Sequence, residues 1–325
     1  MSIRNHHGFV AGMILVLLSA SCGSKPAAGD SMTLYTCASE GVEQAVVTAF
    51  ESAHKGTTVN VFRAPTGQLN ARVAADLRSG GIQADVIWAC DPLTMHNYDA
   101  QQLLVPWSPP NAADIPAAYR TDHFVGIDLL YMALALHRGV PAPTSWSELT
   151  GAAWKNAVAL PSPSFAASAV GMLGYFASAK GYGLDYYRSL RANGAKQVDS
   201  PSDVLTGVEQ GTYKAGFTLA NAAYADQKKG SPIDVVWPHP GAVAIYAPIG
   251  VTSKKNLSGS AKSFADYTAS AEGQKLMAQK GTYVALPGMG GPPLPAGSPV
   301  ASPDWPAVFG SSKTLLTDYV AIFGA

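Results

Sequence analysis

The chain has 325 residues, 47% of them hydrophobic and 14% charged, with glycine and proline spread along its length. Lysine plus arginine equals aspartate plus glutamate at 22 each, and no basic stripe stands out. A neutral, evenly patterned chain argues for a globular protein and against nucleic acid as a partner.

Residues 1–22 read as an export signal. Arg4, His6 and His7 make a polar, positive start, and Phe9 to Leu18 is an apolar run shorter than the roughly 20 residues of a membrane-spanning helix. Leu18-Ser-Ala-Ser-Cys22 resembles the end of a bacterial lipoprotein signal, in which the cysteine becomes the lipidated first residue. Leu18 stands one position earlier than that pattern usually has it, and an ordinary secretory signal cut nearby is the alternative. Residues 23–31 follow as a flexible tether. Removing Arg4 with the signal leaves 21 basic against 22 acidic residues, in a remainder long enough for two lobes of domain size. The expected product is exported and anchored by lipid at Cys22 to the cell membrane, on its outer face or in the periplasm.

The stretch Thr33 to Phe50 sets the theme of the first lobe. Leu34 and Tyr35 form a short strand that ends in a small polar turn, Thr36 to Gly41. A helix follows with Ala45, Val46, Val47, Ala49 and Phe50 as its apolar positions. Ser39 is the expected N-cap, with Glu40 and Glu43 in the first turn, where negative charge complements the helix dipole. Such a turn aims backbone N–H groups into a crevice, although an ordinary strand–helix connection reads the same way. Thr58 to Phe62 alternates as a strand, Arg63 to Gly67 turns, and Gln68 to Arg78 carries Leu69, Val73 and Leu77 at helical spacing. Ala84 to Trp88 is a buried strand, followed by Ala89 to Pro92 and a helix around Leu93 to Asp99. This βαβαβ order predicts a parallel sheet with right-handed crossovers. The turns at Thr36–Gly41, Pro65–Gly67 and Cys90–Pro92 then share the end where open α/β sheets bind ligands. Cys37 and Cys90 each follow a strand in an oxidising compartment, and neighbouring strands would bring them within bridging distance. A disulfide is expected, with two buried thiols or one reactive thiol in a cleft as alternatives.

Phe124 to Leu136 is too long and apolar for one ordinary strand, yet Gly126 and Asp128 disfavour a helix, so it reads as a strand crossing to a second lobe as a hinge. Thr144 or Ser145 caps a short helix with Glu148 in its first turn. The second lobe repeats the theme. Ala157 to Leu160 is a strand, and Pro161 to Ser168 a hydroxyl-rich turn into a helix over Ala169 to Ala179. Tyr186 to Ala192 is helical, Ala195 to Val198 a strand, and Ser202 the cap of a helix through Glu209. Tyr213 to Leu219 is a strand with Ala220 to Tyr224 as its exit, and Ile233 to Trp237 another strand. Ala242 to Val251 crosses back. A helix over Ala261 to Lys280, a loop from Pro287 to Pro303 and a helical region from Trp305 to Phe323 close the chain. The expected lobes are 32–127 plus 250–285 and 128–249 plus 286–325.

In this order the chain resembles bacterial extracellular solute-binding proteins of ABC importers, and more narrowly their type II group of ferric-ion, thiamine and aminoethylphosphonate binders. The resemblance runs collinearly from Thr33 to Pro287. It is carried by Leu34-Tyr-Thr-Cys-Ala-Ser-Glu-Gly41, Thr66-Gly-Gln-Leu69, Ala84-Asp-Val-Ile-Trp-Ala-Cys-Asp-Pro92, Gly126-Ile-Asp-Leu-Leu130, Pro143-Thr-Ser-Trp-Ser-Glu-Leu149, Trp154-Lys155, Leu160-Pro-Ser-Pro163, Asn221-Ala-Ala-Tyr224 and Ala271-Glu-Gly-Gln-Lys275. It implies an α/β architecture of two Rossmann-like lobes joined by two crossing hinge strands, with a ligand cleft between them. It further implies a monomer without cofactor or metal of its own, which hands a small solute to ABC permease and ATPase subunits. The positions it carries to the cleft are Thr36, Ser39, Glu40, Thr66 and Asp91 from the first lobe and Ser164, Ser168, Asn221 and Tyr224 from the second. These hydroxyls, an amide and helix N-termini suit a small organic anion or zwitterion, with the phosphonate or phosphate-ester type favoured, and Glu40 and Asp91 would answer an amino group. Two departures bear on the solute. Ferric-binding relatives place two adjacent tyrosines where this chain has Asn221-Ala222, with a lone Tyr224 beyond; Tyr186-Tyr187 lie inside a helix. Phosphonate-type relatives carry a Thr-Ser-Gly-Thr-like turn where this chain has Ser164-Phe-Ala-Ala-Ser168, so Phe165 offers a stacking face to a larger or less charged ligand.

Other readings differ in class. A ferric-iron or thiamine binder would share the fold, and a ligand sensor would share the cleft without transport. An exported enzyme would use Cys37, or Ser39 with a histidine and an acid. There is no Gly-x-Ser-x-Gly elbow, and His54, His96, His123, His137 and His239 have no metal-ligand spacing, so solute binding without catalysis is the expected activity.

Overall fold

Met1 and residues 29–324 are described by the computed structural model; the expected signal 1–22, the lipidation site Cys22 and most of the tether 23–31 lie outside the described residues. In the first lobe β1 (Asp30–Thr36) runs parallel to β2 (Thr57–Arg63) and to β3 (Val86–Trp88). From their C-terminal ends leave α1 (Glu40–Ala53), α2 (Thr66–Arg78) and α3 (Pro92–Ala100). Val42, Val46 and Phe50 fall on one face of α1 and are buried, with Phe50 edge-on to Phe264 at 5.1 Å. Burying such a ring contributes up to about 3 kcal/mol.

β4 (Phe124–His137) then crosses the molecule. The second lobe holds β5 (Val158–Pro161), α4 (Ala167–Ser178), α5 (Gly183–Ala192), β6 (Lys196–Val198), α6 (Pro201–Glu209), β7 (Ala215–Leu219), α7 (Ala220–Lys228) and β8 (Ile233–Val236). β9 (Ala242–Val251) crosses back, followed by α8 (Ala261–Ala269), α9 (Ala271–Gln279), β10 (Tyr283–Val284), β11 (Val300–Ala301) and α10 (Trp305–Phe323). The strands form one sheet in the order β2-β1-β3-β9-β4-β7-β5-β6, with β8 and β10 also on β4 and β11 on β9.

Strand direction positions the site. β9 is antiparallel to β3, β4 to β9 and β7 to β4, while β5 and β6 run parallel to β7. The C-terminal ends of β1–β3 therefore point toward the second lobe, and those of β5–β7 point back toward the first. The beginning of β4 pairs with β9 beside β3, and its end pairs with β7 and β8, so the two crossing strands belong to both lobes. Glycine is required at the start of this crossing: a Cβ on Gly126 would stand 2.9 Å from Tyr246 Cδ2 and 3.0 Å from Tyr119 Cβ.

Several element boundaries differ from the sequence reading. Ala220 to Tyr224 is the first half of α7 rather than a strand exit. The helix expected over Ala261 to Lys280 breaks at Ser270, whose hydroxyl accepts from Gly273 N at 3.1 Å and so starts α9 afresh. α6 is capped by Ser200, which accepts from Asp203 N at 3.1 Å, rather than by Ser202; Pro201 occupies the first helical position. α2 begins at Thr66, and the short helix after Ser145 is a 3₁₀ segment, Trp146–Thr150.

Candidate functional site

Between the facing strand ends lies a cleft of about 410 Å³, in the size range of small-molecule sites. Its walls are helix beginnings. Ser39 at the start of α1 and Pro65 and Thr66 at the start of α2 come from the first lobe. Ala166 to Ser168 (α4), Ser200 to Ser202 (α6) and Leu219 with Asn221 (α7) come from the second. Of these five N-termini only α6 has a side-chain cap; Ser39, Pro65, Ala166 and Leu219 occupy the N-cap positions without accepting a first-turn N–H. Helices α5 and α8 also start without a side-chain cap, but outside the cleft. Uncapped N–H groups and the positive ends of four helix dipoles thus converge on one space. A larger hollow of about 630 Å³ beside Trp107 and Arg120 receives no α-helix start.

The cleft has one cation among its described lining residues, Arg63, whose guanidinium lies 3.7 Å from Glu40 at the mouth. Its floor is the sheet, with Trp88, Asp128, Leu130 and Ala247, and Thr282 just before β10. Asp128 is 6% exposed, and its Oδ1 finds no hydrogen-bond partner among the described residues. Burial pushes its carboxyl up to about 7; the Trp88 indole N–H beside it opposes that shift without meeting hydrogen-bond geometry. The sequence reading took Asp128 as a helix-breaker and as part of the Gly126–Leu130 stretch, and Arg63 as the start of a turn, and had neither among its candidate site residues.

The structure brings Ser39, Thr66, Phe165, Ser168 and Asn221 to this cleft. Phe165 is 60% exposed at its edge, and the Asn221 Oδ1 is buried without a partner. Cys37 and Cys90 line the same wall and are joined by a disulfide with their Cα atoms 5.8 Å apart, so Cys37 is no free nucleophile. Asp91 and Ser164 fall instead in an adjoining cavity of about 190 Å³ behind Thr66 and Phe165. There Asp91 is the N-cap of α3: it is buried, and its two oxygens accept from Thr94 N and Thr94 Oγ1, both at 2.8 Å. Burial pushes its carboxyl up, opposed by those bonds. Thr36, Glu40 and Tyr224 are outside both cavities. Thr36 Oγ1 accepts from Ala38 N at 3.0 Å, Glu40 is exposed, and the Tyr224 hydroxyl accepts from Trp237 Nε1 at 3.0 Å. No group of three or more His, Cys, Asp or Glu side chains suited to a metal ion occurs among the described residues. No helix among them is long and apolar enough to cross a membrane.

A family described as bacterial extracellular solute-binding protein matches residues 33–282. A comparison with curated protein sequences returned no match. Among solved structures, the chain is similar to AfuA of Actinobacillus pleuropneumoniae with fructose-6-phosphate bound, at a TM-score of 0.79 and 18% identity, over 90% of this chain and 98% of that one. Iron-bound HitA of Pseudomonas aeruginosa gives 0.77 and 19%, over 90% and 99%. The periplasmic binding protein P5PA gives 0.77 and 20%, also over 90% and 99%. At these identities the likeness is one of fold, with its two lobes and the cleft between them.

Proposed function

The chain belongs to the bacterial extracellular solute-binding proteins, and from that premise we propose that it captures a small organic anion of the phosphate-ester or phosphonate kind. The observation that carries this reading is the convergence of four uncapped helix N-termini, from both lobes, on one cleft. Each terminus favours an anion by about 0.3–1 kcal/mol when exposed, and by more where water is excluded. Arg63 adds a full charge, Ser39, Thr66 and Ser168 add hydroxyls, and Phe165 adds an apolar face. The captured solute is presented to an ABC permease driven by its ATPase, with the protein monomeric and held at the membrane by lipid on Cys22. We assign 32–127 with 250–285 to one lobe, an assignment supported by α8 and α9 packing on α1. Residues 128–249 with 286–325 form the other, where α10 packs on α4 and α5 and also reaches α3.

Ferric iron is the second reading, because HitA in the similar structure holds iron. The cleft here offers little to it: Tyr224 lies outside the cleft and accepts from Trp237, and Asp128 is the single carboxylate, with no tyrosine or histidine, among the described lining residues. Ala166→Asp tests the anion reading. An aspartate at the start of α4 supplies the missing cap, so stability is expected to hold or rise by about 0.5–1 kcal/mol. Calorimetric affinity for inorganic phosphate, glycerol 3-phosphate or 2-aminoethylphosphonate is expected to fall at least tenfold. A wild-type protein that ignores all three probes and binds ferric ion or thiamine overturns the reading.

A further inference from the structure

Three polar atoms of cleft-lining residues are buried and unanswered by any described residue: Asp128 Oδ1, Trp88 Nε1 and Asn221 Oδ1. The first two owe their position to an irregularity in β4. Gly126 stands opposite Pro248 of β9, and Asp128, two residues on, stands opposite the very next partner, Ala247. Ile127 is therefore an extra residue, a bulge. In an unbroken ladder Asp128 would pair with Tyr246 and project from the other face of the sheet. The bulge turns it onto the face of Ala247. Trp88 stands opposite Ile249, two positions along β9 and so on the same face, which is the floor of the cleft. A buried carboxylate and a buried indole N–H thus stand side by side on the face that floors the cleft, beneath the space on which the helix starts converge.

We propose that Asp128 is a specificity-determining residue that, with Trp88, reads a hydroxyl group on the part of the solute remote from its acidic end. A hydroxyl accepts from the indole N–H and donates to the carboxylate at once. An ammonium group has nothing to offer Trp88, and a methyl group answers neither, leaving both polar atoms buried and unpaired. Asn221 on the second lobe supplies a further amide once the lobes meet. The inference rests on the anion reading above and narrows it to hydroxylated organic anions. A site built around such a hydroxyl discriminates strongly against the analogue that lacks it.

The test uses two probes of equal charge and similar length, glycerol 3-phosphate and n-propyl phosphate, titrated calorimetrically into the wild-type protein, Asp128→Ala and Asp128→Asn. Wild type is expected to prefer glycerol 3-phosphate at least tenfold. Asp128→Ala should bring the ratio close to one by weakening the hydroxylated probe alone. Asp128→Asn, which keeps an accepting oxygen at the same volume, should retain part of the preference and serves if the alanine variant does not fold. Equal wild-type affinities, or a ratio unchanged in a folded variant, overturn the role of Asp128 while leaving anion capture standing. Failure of wild type to bind either phosphate overturns both.

Discussion

Asp85 and Asp128 are both buried carboxylates on or beside the central strands, and they show how much partners matter. Asp85 accepts from Lys254 Nζ at 2.8 Å, from Thr33 N at 2.7 Å and from Ser258 N at 2.9 Å. Asp128 has its own backbone N–H and the misaligned indole of Trp88 beside it, and burial carries its carboxyl from 3.8 up to about 7. A carboxyl raised on folding holds its proton where the unfolded chain has released it, so the native state loses stability as pH climbs from 3.8 toward 7. That interval corresponds to at most about 4 kcal/mol. Asp128→Asn removes the ionisation, and every other titrating group is common to both proteins. In urea unfolding without ligand, the variant is expected to match wild type near pH 4 and to exceed it progressively up to pH 7 and above. A stability difference that stays flat across that range would mean that Asp128 remains ionised, and hydrated, in the folded protein.

Among the elements, α3 shows how one aspartate can be read in two ways. In the sequence Asp91 sits in a turn at the ligand end of the sheet, beside Cys90, which makes it a ligand candidate. In the structure it is 1% exposed and spends both oxygens on Thr94. Asp91→Ala is therefore expected to lower unfolding free energy by about 1–2 kcal/mol, with Asp91→Ser recovering much of it. Inorganic phosphate affinity should stay within about twofold, and a large loss of affinity without loss of stability would return Asp91 to the ligand set. The parallel strands and both crossing strands are legible in the sequence, because apolar runs of that length between polar turns have few other uses. The cleft is legible only in part. Helix starts at Pro65, Ala166 and Leu219 carry none of the side chains by which a start is recognised, and the lack of a cap that leaves their N–H groups free also hides them. Asp128 was hidden for another reason: its direction depends on a bulge set by pairing with β9, more than a hundred residues away in sequence.

At the scale of the molecule, neither lobe collects the whole site. The first supplies Arg63 and the starts of α1 and α2, the second the starts of α4, α6 and α7, and the crossing strands supply Asp128 from beneath. Capture therefore depends on how firmly each wall is held when the lobes approach. In the first lobe that wall is tied by the disulfide between Cys37, after β1, and Cys90, after β3, across a sequence separation of 53. The β1–β3 pairing already fixes the strands, reaching Thr36 opposite Trp88, so the bridge constrains chiefly the two turns that leave them. Replacing both cysteines by serine should lower unfolding free energy by up to about 4 kcal/mol, the loop entropy of a bridge of that span. Far-ultraviolet dichroism should be unchanged, because the sheet does not depend on the bridge. Phosphate-ester affinity should fall as well, since the start of α1 is then free to move away from the opposing starts of α4 and α7, and the loss should appear mainly as faster dissociation. A variant that loses stability but keeps the wild-type dissociation rate would show that the pairing of β1 with β3 is enough to hold the wall, leaving the disulfide a role in the fold alone.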